Sequence, residues 1–370
     1  IAANAPIADR CGEDHDLAVI MYTGGTTGRP KGVMLSHYSI LQSFVCGNLV
    51  RQLRPNAVCV HSAPFFHVAG CSLLLGVTLL GGTHIILPQF TPAALIDAIT
   101  NERAEVVLLV PTMFAQLAEH MEKHPADLSP VVRVGYGAAG ITTALLRKAM
   151  DLFPAAEFAQ GYGQTELSSS ISTLEPRFHD RSGRYDDKLR SAGRPLPLVE
   201  VKICDDDLNE VAPGRVGEIV VRCPGRMLGY WNLPDLTAQT VVDGWVRTGD
   251  AGYFDAEGFL YIVDRIKDMI ITGGENVFSA EVENALAAHP AVLECAVIGL
   301  PDEKWGERVH AVVRIREGVA VDEAALAFHC RALIASYKCP RTFTFANAPL
   351  PLSGAGKILK TELRRLAGGA

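Results

Sequence analysis

Tyr22-Thr23-Gly24-Gly25-Thr26-Thr27-Gly28-Arg29-Pro30-Lys31-Gly32 is the stretch on which the reading turns. Its glycines let the backbone bend tightly and approach an anion with no Cβ in the way. Successive free N–H groups in such a bend form an anion-binding nest. Thr23, Thr26 and Thr27 add hydroxyl donors, and Lys31 adds a point charge. An apolar run at 17–22 reads as a strand leading into the loop. One or two glycines here would indicate an ordinary flexible turn; this density together with a lysine points to phosphate. The spacing is not GxxxxGK[ST], and no GxGxxG follows the first strand, so neither the P-loop nor the dinucleotide fingerprint applies.

Outward from the loop, apolar runs at 17–22, 57–61, 83–87, 106–110 and 131–136 alternate with helical spacing at 36–50, 92–101, 112–122 and 143–153. Continuous apolar strands separated by helices predict an α/β fold with a mainly parallel sheet layered by helices. The texture changes near Gly193. Short strands at 199–204 and 218–222 and a hairpin within 245–264, turning at 255–258, predict a β-rich subdomain. Beyond Arg265, strands at 269–271, 293–299 and 309–315 and helices at 280–289 and 323–335 predict a compact α+β domain. The expected division is therefore 1–193, 194–264 and 265–370.

Composition narrows the function. Of 370 residues, 48% are hydrophobic and 20% charged, the balance of a soluble globular chain. The net charge of −7, with no long basic run, argues against nucleic acid as a partner. The apolar stretch 70–87 divides into a helix-like and a strand-like half, so no integral membrane segment is expected. Residues 1–9 lack the charged and apolar regions of a signal peptide. Nine cysteines without a CxxC pair suggest free thiols in a reducing, cytoplasmic setting. His120 and His124 have metal-like spacing on a predicted helix, but no third ligand accompanies them.

Further blocks follow in order. They are Pro64-Phe65-Phe66-His67-Val68-Ala69-Gly70, Tyr136-Gly137-Ala138-Ala139-Gly140, Gly161-Tyr162-Gly163-Gln164-Thr165-Glu166, Trp245-Val246-Arg247-Thr248-Gly249-Asp250, Asp264-Arg265-Ile266-Lys267-Asp268, Gly273-Gly274-Glu275-Asn276 and Leu352-Ser353-Gly354-Ala355-Gly356-Lys357. Taken singly, each also reads as core packing, a turn, a helix entry or a solvated charge cluster. Taken together and in order with the phosphate loop, they resemble the adenylate-forming superfamily, which includes acyl-CoA synthetases, peptide-synthetase adenylation domains and luciferases. The resemblance spans 17–365 and is strongest to benzoate-type and fatty-acid CoA ligases.

That resemblance implies a set of roles. Thr23, Gly24, Gly25, Thr26, Thr27, Gly28 and Lys31 would hold phosphate, with Gly161, Tyr162, Gly163, Gln164 and Thr165 around adenine and the α-phosphate. Asp250 would accept the ribose hydroxyls, for which a carboxylate with several lone pairs is suited. Arg265 would approach ribose or phosphate, and Glu166 would hold Mg²⁺, a hard cation that prefers oxygen ligands. His67, Val68, Tyr136, Gly137 and Ala138 would border the acyl pocket. Lys267 would be the hinge; Gly273, Gly274 and Glu275, expected between a strand and a helix, would serve thioester formation. Lys357 would be the mobile catalytic lysine, acting with Lys31, Thr165 and Glu166.

The implied cofactors are ATP, Mg²⁺ and coenzyme A, and the implied partner is a small carboxylic acid. A homodimer is a possible assembly. Relatives in this superfamily carry a large portion before the phosphate loop, so the sequence is expected to lack part of one pocket wall. The expected function is ATP-dependent acid–CoA ligation through an acyl-adenylate. The alternatives are another adenylating enzyme of the superfamily, or a truncated, non-catalytic nucleotide-binding or interaction protein. None of the pocket residues supplies a carboxylate to pair with an ammonium, and an unpaired buried charge is costly. An uncharged acid tail is therefore expected, either aromatic, such as a benzoate or cinnamate, or aliphatic of medium length.

Overall fold

The computed structural model describes residues 12–24, 30–352 and 358–368. Gly25, Thr26, Thr27, Gly28 and Lys357 lie outside the described residues. The run 17–22 forms the strand Leu17–Thr23, and the chain returns as Lys31–Ser36, with Thr23 and Lys31 facing each other across an antiparallel ladder. The phosphate loop is thus a hairpin connection. The short strand Gly229–Tyr230 completes this three-stranded sheet by pairing with Lys31–Ser36. The first strand therefore does not join the large parallel sheet expected for it. A parallel neighbour needs a long crossover, and this loop is far too short to make one.

Ser36 then caps the helix His37–Arg51. Its hydroxyl accepts from Ser39 N, while Ser39 Oγ accepts from Ser36 N, each at 3.0 Å. The reciprocal bonds satisfy donors that a helix start leaves free.

The large sheet has seven strands, in the order Thr83–Ile86, Val58–His61, Val106–Leu109, Arg133–Gly137, Glu157–Gln164, Ser169–Leu174 and Arg194–Pro195. The first five run parallel; the last two are antiparallel additions. Helices Pro92–Asn101, Pro111–Lys123 and Thr143–Leu152 cover one face. Thr91 and Thr142 cap two of them through Ala94 N and Leu145 N, and proline occupies a first-turn position where its missing N–H costs nothing. Under these helices Leu95, Ile99, Phe114, Leu117, Leu146 and Phe158 form the main core with Val107, Leu109 and Val134 of the strands. Each such side chain contributes roughly 1.5–3 kcal/mol on burial. Val106, Leu108, Gly135, Ala159 and Gly161 alternate onto the opposite face, where a cavity lies.

The β-rich part is a second sheet of Glu200–Cys204, Gly217–Arg222, Val241–Val242, Trp245–Phe254 and Leu260–Arg265, with the expected hairpin turn at 255–258. A third core gathers Ile270, Val282, Leu286, Val297, Val309 and Leu326 around the last sheet and the helices Ser279–Ala287 and Glu323–Leu333. Asp264 links the parts: its Oδ2 accepts from Ser279 Oγ at 2.6 Å and from Ala280 N at 3.2 Å. No helix among the described residues is long and apolar enough to cross a membrane.

Candidate active site

The strand Glu157–Gln164 breaks into a single tight turn, Thr165–Leu167, before the chain reverses as Ser169–Leu174. A Cβ on Gly163 would lie 1.7 Å from Ser169 O, so only glycine permits the reversal. Ser168, at φ 56°, completes it. The turn drives Thr165 and Glu166 inward, to 7% and 8% exposure. Glu166 O accepts from Met227 N at 2.8 Å and thereby anchors the segment that carries Tyr230.

Tyr230 is the junction. Its hydroxyl donates to Glu166 Oε1 at 2.7 Å and accepts from Lys31 Nζ at 3.2 Å, while the Lys31 ammonium lies 4.4 Å from the ring centroid. Burial, and then the Glu166 charge, push the phenol's pKa well up, so it remains a neutral donor. A second cluster sits at the edge of the β-rich sheet. Tyr162 donates to Asp250 Oδ2 at 2.6 Å, and Arg265 Nε pairs with Asp250 Oδ1 at 2.7 Å. Thr248 Oγ1 receives Asp250 N at 3.1 Å, which fixes the acid in place. Burial followed by Asp250 raises the Tyr162 pKa in the same way. Desolvation lowers the Lys267 pKa; Asp268 opposes the shift, and the cations of Arg265, Arg364 and Lys31 add to it.

The cavity between the helix His37–Arg51, the helix Val68–Leu79 and the open sheet face measures about 620 Å³, within the range of small-molecule sites. His67, Gly137, Ala138 and Gly161 line it. His67 also caps the helix Val68–Leu79, accepting from Ala69 N at 3.4 Å. A Cβ on Gly137 would meet Gly161 O at 2.2 Å, so the two neighbouring strands close up only because position 137 is bare. Two expected pocket residues contribute less. Val68 packs with Met21, Val33 and Leu35 under the small sheet and is not in the lining. Tyr136 borders the cavity, but its ring packs against Phe114 and Phe158 in the core, and its hydroxyl meets His179 Nε2 at 2.8 Å. Alternation along a strand sends side chain and pocket to opposite faces.

Gly273 and Gly274, at φ 63° and 84°, form a two-residue hairpin turn between Ile270–Thr272 and Glu275–Val277, not the strand-to-helix link expected. The turn is held by Gly273 N donating to Trp305 O at 2.8 Å, within its own sheet. His120 and His124 lie against each other at 4.7 Å, and no group of three potential metal ligands occurs among the described residues.

Sequence reasoning missed two residues. Tyr230 lies in a Gly-Tyr-Trp string whose only sequence signal is an aromatic between turn residues. Arg51 ends the first helix, where it reads as surface charge; in the fold it lines the cavity and donates to Thr173 Oγ1 at 3.5 Å.

A Lys31–Tyr230–Glu166 chain and a Tyr162–Asp250–Arg265 cluster, the latter next in sequence to the cavity residue Gly161, are an arrangement suited to a nucleotide-dependent enzyme. The chain belongs to the AMP-binding enzyme family: that family's model matches residues 3–231, and the model of the AMP-binding enzyme C-terminal domain matches 281–357. Within that class, one relative is a feruloyl-CoA synthase of an Amycolatopsis species, 40% identical over 354 residues, which are 95% of this chain and 70% of the relative. Among solved structures, the amide bond synthetase McbA of Marinactinospora thermotolerans superposes with a TM-score of 0.87 at 36% identity, covering 95% of this chain and 69% of that one. The o-succinylbenzoate coenzyme A synthetase of Bacillus subtilis, solved with ATP and magnesium, superposes with a TM-score of 0.84 at 34% identity, covering 95% and 70%.

Proposed function

We propose that the protein is an acid–CoA ligase, activating a carboxylic acid as its acyl-adenylate and passing the acyl group to coenzyme A. The observation that carries this reading is the placement of the Lys31–Tyr230–Glu166 chain and the Tyr162–Asp250–Arg265 cluster. Tyr162 of the second cluster directly follows Gly161, which lines the apolar cavity together with Gly137. Adenylation replaces a poor leaving group on the acid with AMP. The acid's own carboxylate attacks the α-phosphate, so no protein base is required, and positioning with charge stabilisation carries the step.

Lys31 offsets charge on the phosphates, and Thr165 donates to the α-phosphate. Tyr162 stacks on adenine while Asp250 receives the ribose hydroxyls beside Arg265. Glu166 fits Mg²⁺: its carboxylate is buried, and among the described residues it has a tyrosine hydroxyl but no cation as partner. Magnesium there would neutralise phosphate charge. Lys357 serves adenylation and the Gly273-Gly274-Glu275 turn serves thioester formation. The two take turns through rotation at Lys267 of a mobile unit, 265–370, against 1–193 and 194–264. Free thiols at all eight described cysteines suit a reducing, cytoplasmic setting.

The test is acid-dependent exchange of pyrophosphate into ATP, followed by CoA-dependent release of AMP. Exchange without CoA dependence, with an amine giving amide instead, would move the enzyme to the amide-forming branch that McbA represents. ATP binding with neither reaction would leave a nucleotide-binding protein only.

A further inference from the structure

We propose that the acid this enzyme activates carries a second carboxylate on its tail, received by the guanidinium of Arg51. The inference rests on the proposed acid activation, narrows its substrate to dicarboxylic acids and replaces the uncharged acid tail expected from the sequence, where Arg51 read as surface charge.

The cavity lining contains three charged side chains: Arg51, Arg133 and Glu157. Arg133 and Glu157 pair with each other. Arg51 is paired with no carboxylate among the described residues; its one hydrogen bond, to Thr173 Oγ1, is long at 3.5 Å. Desolvation alone lowers its pKa to about 10, so it remains charged at neutral pH. Arg51 is half-buried with no anion beside it among the described residues, and the planar fork of a guanidinium matches a carboxylate in two parallel hydrogen bonds.

Two glycines make room for this group. A Cβ on Gly161 would lie 3.1 Å from Arg51 Nη2, and one on Gly47 would lie 3.4 Å from Arg51 Nη1. Gly47 is buried within the helix His37–Arg51, where glycine costs about 1 kcal/mol relative to alanine. A basic residue serving only the helix C-terminus gains most by staying in solvent near the last carbonyls. Arg51 instead folds back over its own helix and across the large sheet.

The position sets the length of the acid. Gly137 pairs with Gly161, and Gly161 pairs with Thr173. Strands in a sheet are about 4.8 Å apart, so Arg51 stands roughly 5–10 Å from the Gly137–Ala138 turn, at which we place the reacting carboxylate. A benzene ring or a short run of methylenes spans that gap.

The experiment uses matched pairs: adipate against hexanoate, and terephthalate against benzoate, with 4-hydroxybenzoate as the neutral acceptor. Wild type should favour each diacid by at least about 100-fold in kcat/KM for pyrophosphate exchange, since a site built around a polar group rejects the analogue lacking it. Arg51→Met should reverse the order and raise KM for the diacid. Arg51→Lys, which keeps the charge but loses the fork, should retain a weaker diacid preference; it also serves if the methionine variant does not fold. Calorimetric binding of the same acids without ATP separates the two proposals. Tight diacid binding lost in Arg51→Met, with no exchange, sinks the ligase reading and keeps this one. Equal or weaker binding of diacids by wild type overturns this one, as does preference for 4-hydroxybenzoate over terephthalate.

Discussion

The Tyr230 hydroxyl donates to Glu166 Oε1 at 2.7 Å, joining residues 64 positions apart in sequence. The same oxygen accepts from Lys31, so one phenol holds the loop lysine and the buried acid in register. Tyr230→Phe keeps the ring under Lys31 but leaves Glu166 without its donor, a loss of about 1–3 kcal/mol for a buried group. The expected result is a lower melting temperature without ligand, recovered when magnesium and ATP are added, and a higher magnesium requirement for pyrophosphate exchange. An unchanged magnesium requirement would separate Glu166 from the metal.

Lys357 is assigned to the first half-reaction only. Lys357→Ala should slow pyrophosphate exchange by about 10²–10³-fold, the usual cost of one transition-state donor. Conversion of supplied acyl-adenylate to thioester should be close to wild type. Equal loss in both half-reactions would falsify the division.

The three-residue turn Ile266–Asp268 is where rotation is assigned. Proline at position 267 fixes φ and disfavours the helical geometry of Ile266 before it. Lys267→Pro should therefore retain pyrophosphate exchange while thioester formation falls about tenfold or more, as expected when a conformational step is blocked. Parallel measurement of both rates checks this; unaltered thioester formation removes the hinge from Lys267.

His179 is 7% exposed, accepting at Nε2 from the Tyr136 hydroxyl, with Nδ1 against Glu175 O at 3.1 Å. Burial lowers its pKa from 6.5 to about 4. The unfolded chain takes up a proton near pH 6.5 while the folded chain resists it. This stability is therefore complete above pH 6.5 and is lost as pH falls towards 4, by up to about 3 kcal/mol. His179→Gln, whose amide can make both hydrogen bonds without titrating, should flatten that part of the denaturation curve. Urea melts between pH 7 and 4 are the measurement, and an identical slope in the variant would assign the acid sensitivity elsewhere.

Local pattern in the sequence carried much of the fold. The continuous apolar runs at 106–110 and 131–136 became parallel strands, and the Asp-Ala-Glu-Gly string at 255–258 became a hairpin turn. Such features depend on side-chain period and turn chemistry, which neighbouring residues settle among themselves. The tight turn at Thr165–Glu166 was legible for the same reason, since glycine and hydroxyl spacing act over a few residues. Tertiary structure alone decided that the first strand turns back on itself rather than entering the large sheet. It also decided that Tyr136 faces the core, and that Tyr230 and Arg51 face the site. Those outcomes depend on which sheet face is covered and on which distant segment fills the space beside it. A tyrosine between turn residues and an arginine at a helix end have the same local pattern whether they meet water, a buried carboxylate or a cavity, so only the packing of remote elements distinguishes these outcomes.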